Sequence, residues 1–161
     1  TIYEGTTAIQ SNDLVGRKTV RDGGTSAKAI AAQIEKTEAE LTAQGGANAR
    51  AVARRLKAAR EAFNDVVDFM VANARANPNA AFAGSVPYLM LAGNLMAGWQ
   101  LGRALLVAEE LSAKGQDVPF MQAKITTARF YADHILSRAP GVRDAIVDGA
   151  DAVTALPAEA F

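Results

Sequence analysis

The stretch "VARRLKAAREAFNDVVDFM", residues 52–70, decides the fold class. Val52, Leu56, Ala59, Phe63, Val66 and Met70 recur at spacings of four and three, the stripe of a helix packed inside a bundle. The opposite side carries Arg50, Arg54, Lys57 and Glu61, so this helix has one dry face and one wet face. "NPN" at Asn77 to Asn79 ends it, because Pro78 disfavours helical geometry in the residue before it.

Toward the N-terminus, "QGG" at Gln44 to Gly46 stops an earlier helix striped by Ile30, Ile34 and Leu41. Thr25 or Ser26 supplies its cap by accepting from an orphan amide. The Gly23-Gly24 pair before it is a hinge and a boundary, and "SNDLVGRK" carries a short helix through Lys18. Toward the C-terminus a helical stretch over 80–114 is kinked or split by Gly84 and Pro87. Its bulk comes from Tyr88, Leu91, Leu95, Trp99, Leu106 and Leu111, while Gly93, Gly98 and Gly102 admit a neighbouring helix. Apolar residues nearly all round predict burial on more than one side.

Gly115 stops that helix, and Asp117 with Pro119 starts the next, whose inward face is Met121, Ile125, Ala128, Ala132 and Ile135. Pro140-Gly141 closes it, and a last helix aligns Val142, Ile146, Gly149, Val153 and Leu156. No alternating run of β-branched residues reads as a strand. The expected fold is all-α, a mostly antiparallel helical bundle of four to six helices joined by short loops.

Composition narrows the chemistry. The 161 residues are one domain's length, half apolar and 21% charged, with a formal net charge of zero. Such a balance offers no bulk attraction for nucleic acid or an anionic membrane. The absence of cysteine excludes disulfides, thiolate metal sites and a thiol nucleophile, and suits a reducing cytoplasm. With His134 as the one histidine, triads and His-rich metal sites drop out; at a helix end its cation suits the dipole. Ala76 to Gly102 holds no formal charge and is long enough to cross a bilayer. Asn77, Asn79, Ser85, Asn94, Gln100 and Pro87 interrupt it, and the expectation is a buried bundle helix rather than a membrane span. "GWQLG" at Gly98 to Gly102 reads as close helix packing, and Trp99 and Tyr88 as core or interface anchors. Arg50, Arg54 and Lys57, with Arg55 and Arg60, form a cationic stripe interrupted by Glu61 and Asp65, the pattern of a solvated face rather than a nucleic-acid interface.

The opening "YEGTTAIQ" has two readings. In the first, Thr7 and Gln10 form a capping box, Glu4 is favoured by the helix dipole and Gly5 makes a turn. In the second, Glu4 is a general base beside exposed amides at a helix start, a place suited to an oxyanion.

"IYEGTTAIQ" resembles the signature I-Y-E-G-T-x-Q/E-I-Q of the acyl-CoA dehydrogenases. The continuation "SNDLVGRKTVRDGG" and the helical remainder resemble the large members with an extra C-terminal domain, of the methylmercaptopropionyl-CoA dehydrogenase-like kind. The motif covers residues 2–18, and the helical likeness runs through the rest. What the resemblance implies is an FAD enzyme that desaturates acyl-CoA thioesters between the α and β carbons. Glu4 would be the base for the α proton, its backbone N–H would hold the thioester carbonyl, and Gly5 would lie against the substrate. Thr6, Thr7 and the backbone of Ala8 would contact FAD; Ala8 departs from the family's Gln or Glu there. Residues 1–22 would then end the catalytic helical domain and residues 23–161 form an appended C-terminal bundle. The resemblance further implies a longer parent enzyme, an electron-transfer flavoprotein or similar acceptor, and a homodimeric parent. The alternative is an autonomous helical interaction or dimerisation module without catalysis.

Overall fold

The computed structural model describes residues 5–153 and 155–160, and among them there is no strand. A lead segment begins with α1 (Thr7–Asp13), widens into a π turn over Leu14–Thr19 and tightens into a 3-10 turn over Val20–Asp22. Four long helices follow: α2 (Thr25–Gln44), α3 (Ala47–Ala76), α5 (Ser85–Ala113) and α6 (Val118–His134). The short α4 (Pro78–Ala83) links α3 to α5, and α7 (Ala139–Val147) and α8 (Ala150–Val153) close the order.

Side-chain pairs fix the directions. Position 24 lies against Val67 and Glu38 binds Arg60, so α2 and α3 run antiparallel. Gly84 sits beside Met70, Phe63 stacks on Tyr88 at 5.9 Å, and Gly102 lies near Val52 and Leu56; α5 therefore runs back along α3. Gln122 bonds Ser112 and Tyr131 bonds Asn94, which makes α6 antiparallel to α5. The expected all-α, mostly antiparallel bundle is the observed one, with α3 in contact with α2, α4, α5, α6 and α7.

The whole α3 stripe named from sequence, Val52, Leu56, Ala59, Phe63, Val66 and Met70, is buried. Against it lie Ile34, Leu41, Leu95, Leu105 and Leu136, each essentially without solvent contact. Inside this wall Arg60 donates to both carboxylate oxygens of Glu38, at 2.7 and 2.9 Å, and reaches Glu35 at 3.3 Å. Hydrogen bonding to Glu38 raises the Arg60 pKa against the opposing effect of burial.

Several local expectations are corrected. Neither Thr25 nor Ser26 caps α2: the Asp22 carboxylate accepts from the Gly24 and Ser26 amides instead. Those bonds, the Ser26 ones foremost, hold the Asp22 carboxyl below its usual range. Ile30 points to solvent at 41% exposure, and the α2 face is completed by Ala31, Thr37 and Glu38. Asp117 is the N-cap of α6 but adopts φ 40° and makes no side-chain cap bond. Pro140-Gly141 does not close α6; Leu136–Arg138 makes a 3-10 turn and Pro140 sits in the first turn of α7, where its missing N–H costs nothing. Val153 and Leu156 are exposed, so the last apolar face stops near Ile146.

Helix α5 is apolar all round yet buried mainly on one side. Tyr88, Leu91, Leu95, Gly98, Gly102 and Leu105 face the core, while Met90 and Val107 are more than half exposed. A Cβ at Gly98 would lie 2.7 Å from both Leu136 methyls, and one at Gly102 would lie 3.3 Å from Leu41; a Cβ at Gly93 meets nothing within 4 Å. The close-packing expectation thus holds for Gly98 and Gly102 and fails for Gly93. Gly98→Ala is expected to destabilise the chain by about 1–3 kcal/mol through overpacking. Gly93→Ala is expected to stabilise it by about 0.5–1 kcal/mol through helix propensity. Urea denaturation of the two variants beside the wild type measures both signs.

Candidate functional site

Four of the five sequence-predicted site residues, Gly5, Thr6, Thr7 and Ala8, lie at the start of α1. Glu4 lies outside the described residues. Gly5 is exposed at φ +82°, and no described residue lies within 4 Å of where a Cβ would stand. Thr6 is the N-cap, Thr7 and Ala8 are the first helical residues, and the Gln10 amide donates to the Thr6 carbonyl at 2.9 Å. The Thr7–Gln10 capping box is therefore one residue out of register: Thr7 is already inside the helix, and the cap position belongs to Thr6.

What positions this edge is a buried polar stripe that sequence reasoning missed. Ser11, Val15 and Thr19 are all buried, at spacings of four. In an α-helix four residues overshoot one turn by about 40°. The wider π turn over Leu14–Thr19 offsets that drift, so the three side chains stay on one face. Ser11 donates to the Ala8 carbonyl at 2.9 Å and shares a hydrogen bond with Ser85 at 3.1 Å. Thr19 pairs with the Tyr88 hydroxyl at 2.9 Å. Burial raises the Tyr88 phenol above its ordinary pKa, and the Thr19 bond opposes part of that rise. The signal was present in the four-residue spacing of Ser11, Val15 and Thr19, but two of the three are polar and do not register as an apolar stripe.

The resulting edge can touch a ligand without enclosing it. Gly5, Thr7, Ala8 and Gln10 are exposed, as is Ile9 at 67%. The first turn of α1 carries no acidic residue, and its dipole favours an anion or a polarised carbonyl nearby. A left-handed glycine without a Cβ admits close approach of a flat or extended group. These features fit residues that would line one side of a flavin and thioester.

Other candidates settle into structural roles. Of the cationic stripe, Arg60 turns inward to Glu38, Arg55 meets Asp133 at 3.4 Å and Lys57 meets Glu61 at 3.8 Å. His134 ends α6 and stacks on Phe130 at 4.4 Å. The Trp99 indole donates to Thr37 at 2.9 Å, and Tyr88 is a core anchor. Among the described residues, no helix is long and apolar enough to cross a membrane.

An up-down helical array with a hydrogen-bonded lead segment on its α5 flank defines the class, an all-α bundle module with a presented helix start. Residues 28–157 match the family described as acetyl-CoA dehydrogenase C-terminal like, and the chain belongs to that family. It is 51% identical over 152 residues to 3-methylmercaptopropionyl-CoA dehydrogenase of Ruegeria pomeroyi, covering 94% of this chain and 26% of that protein. It is 32% identical over 157 residues to the broad-specificity linear acyl-CoA dehydrogenase FadE5 of Mycobacterium tuberculosis, covering 90% of this chain and 25% of that protein. Butyryl-CoA dehydrogenase of Syntrophomonas wolfei is 30% identical over 168 residues, covering 99% of this chain and 26% of that protein. The chain thus spans about a quarter of the length of the curated relatives that it matches.

The Thr19–Tyr88 bond gives a test of the anchoring. Tyr88→Phe leaves the Thr19 hydroxyl buried without its partner and is expected to cost about 1–3 kcal/mol, most of which Thr19→Val restores in the double variant. Because the folded chain keeps a phenolic proton that the unfolded chain releases near pH ~10, the stability from Tyr88 is full below that pH and is lost above it. Denaturation between neutral and strongly alkaline pH should show a steeper decline for the wild type than for Tyr88→Phe.

Proposed function

We propose that this chain is the C-terminal part of an FAD-dependent acyl-CoA dehydrogenase that desaturates an acyl-CoA thioester between its α and β carbons. The observation that carries the reading is 51% identity across 94% of the chain to 3-methylmercaptopropionyl-CoA dehydrogenase of Ruegeria pomeroyi. The "YEGT" motif, residues 3–6 of the sequence, supports it.

In this reading Glu4 takes the α proton, and its own backbone N–H donates to the thioester carbonyl, stabilising the enolate as it forms. Gly5, free of a Cβ, lets the acyl-thioester pass against the main chain. Thr6, Thr7 and the backbone of Ala8 would hold the edge of FAD, whose chemistry when bound is to accept the β hydrogen as hydride. The anchors at Ser11 and Thr19 then act as positioning residues, because the orientation of α1 sets where the base is carried. Residues 1–22 complete the catalytic helical domain, and residues 23–161 are the appended bundle. The isolated chain is inactive, since one exposed edge cannot exclude water from a deprotonation. The parent works in the cytoplasm as a homodimer and passes electrons to an electron-transfer flavoprotein or a similar acceptor. The cysteine-free composition accords with that compartment.

Glu4→Gln in the full-length parent is expected to abolish acyl-CoA-dependent bleaching of the flavin while leaving FAD bound. Bleaching at the wild-type rate would remove Glu4 from the role of base. The 161-residue chain alone is expected to purify without flavin absorbance.

The interaction-module reading is favoured by one observation, the exposed Met90, Val107 and Phe120 on α5 and α6. The intact mass of the source protein separates the two: a native chain of 16.9 kDa supports the module, and one about four times larger supports the dehydrogenase.

A further inference from the structure

A cavity of about 220 Å³ lies where α5 meets the α6–α7 junction. Its walls are apolar: Leu91, Leu95, Leu136, Ala139 and Val142 with the side chain of Met90. Two lining residues carry polar side chains, Asn94 and Arg138, and no acidic residue lines it. We propose that this cavity binds an amphipathic anion, a single carboxylate on an unbranched apolar tail of roughly six to eight carbons. The proposal is independent of the dehydrogenase reading.

The size argument sets the tail. An apolar cavity of about 150 Å³ stays dry and takes up benzene, a six-carbon ligand, so the larger volume here has room for roughly six to eight carbons. The walls cannot collapse to fill it. Leu136 is wedged against Gly98, its methyls 2.7 Å from where a Cβ would stand, and Leu91, Leu95, Leu136 and Ala139 are buried in the shared core. Met90 is different: 55% exposed and unbranched, it can move to admit a ligand or cover one.

The charge argument sets the head. Arg138 is the one charged residue that lines the cavity, and it forms no ion pair among the described residues. Arg138 is also the N-cap of α7, whose first turn has no acidic residue and whose Ala139 and Val142 line the cavity. The guanidinium attracts an anion at the mouth, whereas the helix start adds little, because the Ala139 N–H donates to the Leu136 carbonyl and Pro140 has none. Asn94 turns its oxygens toward the Tyr131 hydroxyl at 3.2 and 3.5 Å, leaving its amide nitrogen as a second donor. A cationic ligand would meet Arg138 unfavourably.

Titration of the 161-residue chain, labelled with ¹³C at its methionine methyls, with butanoate, hexanoate, octanoate and dodecanoate tests the site. Saturable shifts at the Met90 methyl are expected. Affinity should tighten by roughly fourfold per buried methylene up to octanoate, with no further gain for dodecanoate. Arg138→Gln, an exposed change that leaves the core intact, should weaken octanoate by about threefold or more and leave octan-1-ol unchanged. Three outcomes overturn the proposal: no saturable shift at Met90, affinity that keeps rising through dodecanoate, or octanoate binding indifferent to Arg138→Gln.

Discussion

Helix α3 is enclosed by helices on several sides, and that enclosure constrains everything else in the fold. A helix with α2, α5, α6 and α7 all against it cannot turn a charged residue inward without supplying its partner. Arg60 is the case in point. It follows Ala59 in the buried wall and is nine-tenths buried itself, so its charge is met by both oxygens of Glu38. Small residues carry the rest of the burden: Ala49, Ala53, Ala59 and Ala62 are buried on α3, and they let neighbouring backbones come close where leucines would hold them apart. An ion pair of this kind is a weak source of net stability, because desolvation consumes much of the attraction, but losing one partner alone is costly. Its two-pronged geometry ties Glu38 of α2 to Arg60 of α3 at one register of the two helices.

From α3 the constraint passes to the functional edge through a short series of contacts. Phe63 stacks on Tyr88 with an interplanar angle of 28°, and the Tyr88 hydroxyl meets Thr19 in the π turn. One α5 turn earlier, Ser85 meets Ser11 in α1. The helix start that presents Gly5, Thr6, Thr7 and Ala8 is therefore referenced to the bundle core by two buried side-chain bonds rather than by covalent proximity alone. Buried hydroxyl pairs are directional and expensive to leave unmade, so they set orientation where an apolar contact would tolerate sliding.

The sequence showed what periodicity can show. The α3 stripe, the glycine stops at 45–46 and 115, and the break at Asn77–Pro78 all follow from single-helix physics and all stand in the structure. Features decided by competition between neighbours were less legible. Thr25 and Ser26 are good caps in isolation, but the Asp22 carboxylate reaches the same amides through the turn made by Gly23 and Gly24. Thr7 and Gln10 have the spacing of a capping box, and only the true helix start, one residue earlier than that box requires, decides against it. At the candidate site the residue identities came from a motif, while the anchors Ser11, Thr19, Ser85 and Tyr88 are joined across 69 and 74 residues of sequence. No local pattern encodes such a pairing.

Helix α5 shows where a missing distinction was nonetheless present in the spacing. Gly98 and Gly102 stand four apart and share the core face, against Leu136 and Leu41. Gly93 stands five before Gly98, which at about 100° per residue places it some 140° around the helix, toward solvent. Met90, three residues before Gly93, lies within about 60° of it on the same side and is exposed. Three glycines read together as a close-packing set are thus two sets on different faces. The uncharged character of the run concealed the difference, because hydropathy alone marks both faces as apolar. Angular position separates them: the face with glycines at spacing four meets large aliphatic side chains, and the face with a lone glycine beside Met90 does not.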